Sequence, residues 1–290
     1  MLELQWSLLA EEMSTLDVPA TSAKSVPSTS AFAEPGEGST TLTSAATIAV
    51  LLLAWAVVTN AGWVKPLFLP SPQAVWRQFL DYLTGQANDH SLLQHAAASL
   101  LRVFSAFALA AVVGIPVGLG MGVSRVVRGI ADPVLEFYRP LPPLAYLPLI
   151  IIWFGIDELP KVLLIFLSCL APVALASRAG AKAATPEQVH AAASMGATRW
   201  QVVRHVIVPA ALPDILVGLR IAIGFGWTTL VAAEMVAANV GLGQMVLNAS
   251  NFLRTDIVVM GILVIGAVAF AFDLLMRAIE RRLVPWKGRV

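Results

Sequence analysis

A chain of 290 residues that is 58% hydrophobic and 13% charged lacks the polar residues needed to cover a soluble globule of that size. Its mean hydropathy of +0.77 points to the bilayer, and a formal net charge of +1 excludes a basic stripe that tracks a phosphate backbone, so no nucleic-acid partner is expected. The single cysteine, Cys169, lies in the apolar run VLLIFLSCLAPVAL, which excludes an intrachain disulfide and reads as a buried structural thiol.

Residues 1–42 are rich in Ser, Thr, Ala and Pro toward their end and bury too little apolar surface to offset chain entropy, so they read as a mobile cytoplasmic tail. No basic segment precedes a hydrophobic stretch at the N-terminus, unlike a secretory signal. Residues 43–290 read as one transmembrane domain. About 20 apolar residues cross the hydrocarbon core, and six stretches approach that length: 43–61, 96–123, 141–156, 161–176, 216–238 and 257–276. The third and fourth are short and flank GIDELPK, whose Gly155, Asp157, Glu158 and Pro160 mark a turn between them. The fold class is therefore an all-α polytopic membrane protein.

Lys and Arg orient the spans. With a cytoplasmic N-terminus, fourteen basic residues fall on the inner side and four on the outer (Lys65, Arg77, Lys161 and Arg254), while Arg102 lies within a span. The positive-inside rule then sets both termini in the cytoplasm. The second span carries Ala106, Ala110, Gly114, Gly118 and Gly122, an i+4 ridge of small residues on which another helix can pack closely. Pro116 is expected to kink that helix.

The long inner segment, residues 177–215, contains TPEQVHAAASMGATRWQVVRHVIVPAALPDI. Thr185 to Gln188 and Thr198 to Gln201 have the form of two capping boxes, and Gly196 between them suits a left-handed helix stop. The spacing predicts helix, glycine turn, helix, with Ala191 and Ala192 exposed on the first helix and Pro209 ending the second. Such an elbow is either a docking surface for a partner or an interfacial pair held on the headgroups by Arg199, Arg204 and Trp200.

Ala191, Ala192, Gly196, Val206, Ile207 and Pro209 resemble the EAA loop of binding-protein-dependent ABC importer permeases, with His190 where that family usually has Glu. The resemblance runs from Leu67 to Trp286. FLPSPQAV, PVLEFYRPLPPLAYLPLIIIWFGI and GWTTLVAAEM are similar to the sulfonate, nitrate and taurine branch, and YRPLPPLAYLP and TTLVAAE are most like taurine permeases. It implies a type I permease fold in the bacterial inner membrane and import of taurine or a related sulfonate, with aliphatic sulfonate or nitrate as the alternative. It also implies two ABC ATPase subunits docked at His190, Ala191, Ala192, Gly196 and Pro209, and an extracytoplasmic solute-binding protein. One chain offers half of a transport path, so a permease homodimer is expected. No lysine follows a glycine, so no G-K-[ST] phosphate loop exists, and ATP and Mg are expected on the partner subunit, with no cofactor on this chain. His90, His95, His190 and His205 have no metal-ligand spacing, and no catalytic constellation suggests an enzyme. A stand-alone secondary transporter or channel is the reading from a different class.

Ionisable and polar groups within spans are the candidates for a path. Thr228 and Thr229 offer hydroxyls to an anion or bond their own helix carbonyls, and Trp227 walls a cavity. Glu234 either meets the ammonium of a zwitterion or pairs with Arg102. Trp153 lines the path or lies in an aromatic belt. Glu136 with Arg139, and Asp273 with Arg277, are spaced to pair along a helix.

Overall fold

The structure is a computed structural model that describes residues 41–85 and 90–284. Contacts divide the chain after Leu52. The unit ending there contributes the first turns of α1 (Thr41–Asn60), a helix of which no residue is buried. It starts two residues inside the segment expected as tail, while the tail's residues 1–40 lie outside the described residues.

In the unit from Leu53, α2 (Pro72–Leu83) begins where the Ser71 hydroxyl accepts the N–H of Ala74 and Pro72 supplies a preset φ. At 12 residues this amphipathic helix is too short to span, and its signal in the sequence is the Ser-Pro start. It buries Val75 and Tyr82 against Leu242, Met245, Ile257 and Met260.

α3 (Leu92–Val123) opens with a capping box between Ser91 and Gln94 and continues through Pro116. Its ridge of small residues lies on α6 (Glu158–Ala181): Ala106, Ala110, Gly114 and Gly118 are buried. A Cβ on Gly118 would stand 2.2 Å from the Ala174 carbonyl oxygen, closer than any atom pair tolerates, so the helices meet at backbone distance only because the position is glycine.

α4 (Arg125–Tyr138) and α5 (Pro143–Phe154) are bent by 104° to one another across the Pro-rich break at 139–142. α5 has 12 residues, about 18 Å of rise, and cannot cross alone. Residues 141–156 are therefore no independent span but the second arm of a bent pair, which is either a broken span or a re-entrant loop. Among the described residues, five helices are long and apolar enough to cross, or six when this bent pair counts as one span. After the positive-φ Gly155, Glu158 and Pro160 already belong to the first turn of α6 rather than to the loop expected there. This makes the fourth expected span a 24-residue helix.

α7 (Pro186–Ser194) is followed by α8 (Arg199–Ala237), which contains a π turn at Val203–Ile207. α9 (Leu242–Asn251) and α10 (Thr255–Leu283) complete the chain. The main core is formed by Val103, Ala106 and Ala110 of α3, Ile165, Cys169 and Val173 of α6, Ile223, Trp227 and Leu230 of α8, and Phe272 of α10. α6 sits between α3 and α8, and the Cys169 thiol reaches the Ala222 carbonyl at 3.3 Å.

Candidate functional site

The segment between α6 and α8 folds by local rules. Thr185 and Gln188 cap each other's backbones, as do Thr198 and Gln201. α7 ends in a Schellman arrangement, with the Gly196 N–H donating to Ala193 and the Ala197 N–H to Ala192. Gly196 has φ +81°, with no atom within 4 Å of where a Cβ would stand, so glycine is needed there for conformation and not for space.

Two expectations are corrected here. Within residues 177–215, Ser177 to Ala181 finish α6 and Arg199 starts α8, so 182–198 lie between the two long helices. Ala191 is exposed, but Ala192 is buried against Ala181, Val202 and Ile207, because successive helical residues point about 100° apart. Pro209 does not end the second helix. The Val208 N–H donates to Val203, five residues back, and this widened turn shifts the ladder just before the residue that has no N–H to give.

His190 and Pro209 are exposed with Ala191, and Gly196 lies at the elbow. Gln188, Ala191, Met195, His205, Val206 and Pro209 line a shallow groove of about 450 Å³ between α7 and the start of α8. Met195 and Trp200 stand out at 83% and 70% exposure on an otherwise polar segment. Met195, Gln188 and His205 were missed from sequence, although Met195 was marked by its place just before the glycine stop. The Glu187 carboxyl is held below the usual carboxylate range by its own backbone N–H, then by the Thr185 hydroxyl and the charge of His190.

The candidates for a path do not converge. Trp227 and Thr229 are buried in the bundle, whereas Thr228 is exposed and donates to the Phe225 carbonyl of its own helix at 2.9 Å. Three consecutive residues of a helix cannot share one face. Trp153 is exposed on α5, away from that core. Glu136 and Arg139 form no ion pair within 4.0 Å, whereas Asp273 accepts from both Arg277 (2.8 Å) and Arg220 (2.6 Å).

Glu234 lines no open path but is fully buried at the centre of a polar cluster. Its Oε1 accepts from Arg102 Nη1 and from the Ser99 hydroxyl, both at 2.7 Å, and its Oε2 from the Gly243 N–H at 2.9 Å. The loop 238–241 closes over it: the Val240 carbonyl accepts from Arg102 at 2.6 Å, and a Cβ on Gly241, at φ +155°, would collide with the Glu234 carboxyl. Arg102 also grips Glu158, which in turn takes Lys161. Lys161, counted above on an outer segment, is buried in the first turn of α6.

A bundle of span-length helices with a bent helix pair and an ordered elbow between two of them is the architecture of a multi-pass membrane protein. The chain belongs to the family of binding-protein-dependent transport system inner membrane components, whose model matches residues 110–285. It is 53% identical over 248 residues to the taurine transport system permease protein TauC of Escherichia coli, which covers 85% of this chain and 90% of that one. Identity is 34% over 241 residues to the putative aliphatic sulfonates transport permease protein SsuC of Bacillus subtilis, covering 83% and 86%. It is 30% over 246 residues to the nitrate import permease protein NrtB of a Synechocystis species, covering 83% and 88%. In structure the chain is similar to one from an inward-facing MetNI methionine ABC transporter, with a TM-score of 0.59 at 18% identity, over 66% of this chain and 95% of that one. The fold is that of a type I ABC importer permease.

Proposed function

We propose that the chain is the membrane permease of an ATP-driven importer for taurine or a related sulfonate. The observation that carries this reading is the 53% identity to a taurine permease across nearly the whole of both chains, well above the 34% and 30% shared with sulfonate and nitrate permeases. Membership of a binding-protein-dependent family leaves the stand-alone transporter or channel without support.

In this reading two copies of the chain form the path, two cytoplasmic ATPase subunits carry ATP and Mg, and an extracytoplasmic binding protein delivers the solute. No cofactor is held by this chain. α7 docks in the ATPase through Ala191 and the groove beside Met195 and Pro209, and the Gly196 elbow passes motion into α8. His190, exposed on α7, replaces the family's usual Glu without changing the docking face. The buried Ala192 supports that face from behind, anchoring α7 to α6 and α8. Because α8 is continuous from Arg199 to Ala237, a tilt imposed at the elbow is carried along a single rod to the loop that closes over Glu234. Alternating access then follows from rigid-body motion rather than from a tight site in the path, which would trap the solute. Both termini and the 177–215 segment face the cytoplasm.

Reconstitution with the cognate ATPase and binding protein tests the reading. ATPase activity is expected to rise with taurine-loaded binding protein and to stay flat with an amino-acid-loaded one. Uptake of nitrate or an alkane sulfonate at a comparable rate, with taurine ignored, would replace the solute while leaving the permease.

A further inference from the structure

We propose that Arg102 and Lys161 form an oxyanion-binding site at the end of the bundle opposite α7, in which the Glu158 carboxylate is an exchangeable stand-in for a sulfonate. The sulfonate identity rests on the reading above; the anion site does not. Glu158 is the first residue of α6 and α7 follows its last turn, so about 36 Å of helix separates the site from the elbow.

The cluster holds two cations and two carboxylates that play different parts. Glu234 is fully buried and fixed by Arg102, the Ser99 hydroxyl and the Gly243 N–H, which leaves it no freedom to depart. Glu158 has a side chain 62% exposed, yet it bonds two cations that are 6% and 4% exposed. A solvated carboxylate thus caps buried positive charge and is the one counter-ion that can swing away. Lys161 has no other ion-pair partner among the described residues. Since a buried charge stripped of its partner is costly, departure of Glu158 requires an anion to replace it.

The donor geometry favours a group with three oxygens. Arg102 Nε donates to Oε2 at 2.5 Å, while Arg102 Nη2 and Lys161 Nζ both donate to Oε1 at 2.8 Å. Three donors therefore share two acceptors. A sulfonate can present two oxygens to the guanidinium fork and a third to the ammonium. The Asp157 side chain makes no capping bond at this helix start, so the first N–H groups of α6 add to the positive end.

The test uses the full-length chain in detergent with methanesulfonate as the probe and chloride of equal ionic strength as the control. Glu158→Gln is expected to melt lower than the unaltered chain in chloride and to regain several degrees in millimolar methanesulfonate. The unaltered chain, whose site is filled by Glu158, is expected to shift far less over that range. The double variant Glu158→Gln with Lys161→Met is expected not to respond. An equal response of all three proteins, or none from Glu158→Gln, overturns the proposal. Should Glu158→Gln fail to accumulate, Glu158→Asp, one methylene shorter and so a weaker cap on the two cations, takes its place, with a shift in methanesulfonate expected to exceed that of the unaltered chain; an equal shift overturns the proposal. Because the probe acts on the permease alone, a failure here is separate from a failure of the taurine reading, which is measured through the binding protein.

Discussion

Arg102 stands in a membrane helix because every charge near it is answered. One guanidinium nitrogen serves Glu234 and the Val240 carbonyl, and the other two serve Glu158. Removing one partner of such a buried pair costs about 3–5 kcal/mol, since the other is left charged and dry. Arg102→Ala is therefore expected to lower the melting temperature sharply, with Arg102→Ala plus Glu234→Gln melting above the single variant. A thermal unfolding series that ranks the double below the single would refute the pairing. At Gly196 the constraint is conformational. Gly196→Val forces a β-branched residue to φ +81°, a strain of about 1–3 kcal/mol. It should leave the spans inserted but abolish uptake and weaken ATPase association, whereas His190→Glu should be tolerated. Uptake assays with membrane-fraction blots read both.

At the scale of elements, the contact of α3 with α6 depends on what is absent from Gly118. Gly118→Leu would drive a side chain into the Ala174 carbonyl, a backbone atom that cannot turn aside. That variant is expected to be lost from detergent extracts. Gly224→Ala, on α8 with nothing within 4 Å of its Cβ position, is expected to be recovered at normal yield. Equal recovery by size-exclusion chromatography would mean that the ridge does not govern assembly. The ridge was legible because a period of four survives in any helix. The bend between α4 and α5 was not, because the Pro-rich break says that a helix stops without saying at what angle the next begins. α8 teaches the reverse: Pro209 reads as a stop, but the π turn before it absorbs the missing donor.

For the whole molecule, the elbow and the Arg102 cluster lie at opposite ends, so one labelling experiment fixes orientation. Cys169 is fully buried and should stay silent. Met195→Cys (83% exposed) should react with an impermeant thiol reagent only from the cytoplasmic side, and Phe252→Cys (79% exposed) only from outside. Labelling of both from one side would reject the topology. The membrane class, most of the span-length helices, the two capping boxes, the glycine stop and the small-residue ridge can be read from the chain alone. All of these are set within about 20 residues by hydropathy, hydrogen-bond caps and helical period. Packing between distant helices is what gives Glu234 to Arg102, 132 residues away, turns Ala192 inward while Ala191 stays out, and leaves Glu158 exposed over two buried cations. Those outcomes depend on which helices become neighbours, and in the bilayer that choice is made by shape and charge pairing between distant segments rather than by local pattern.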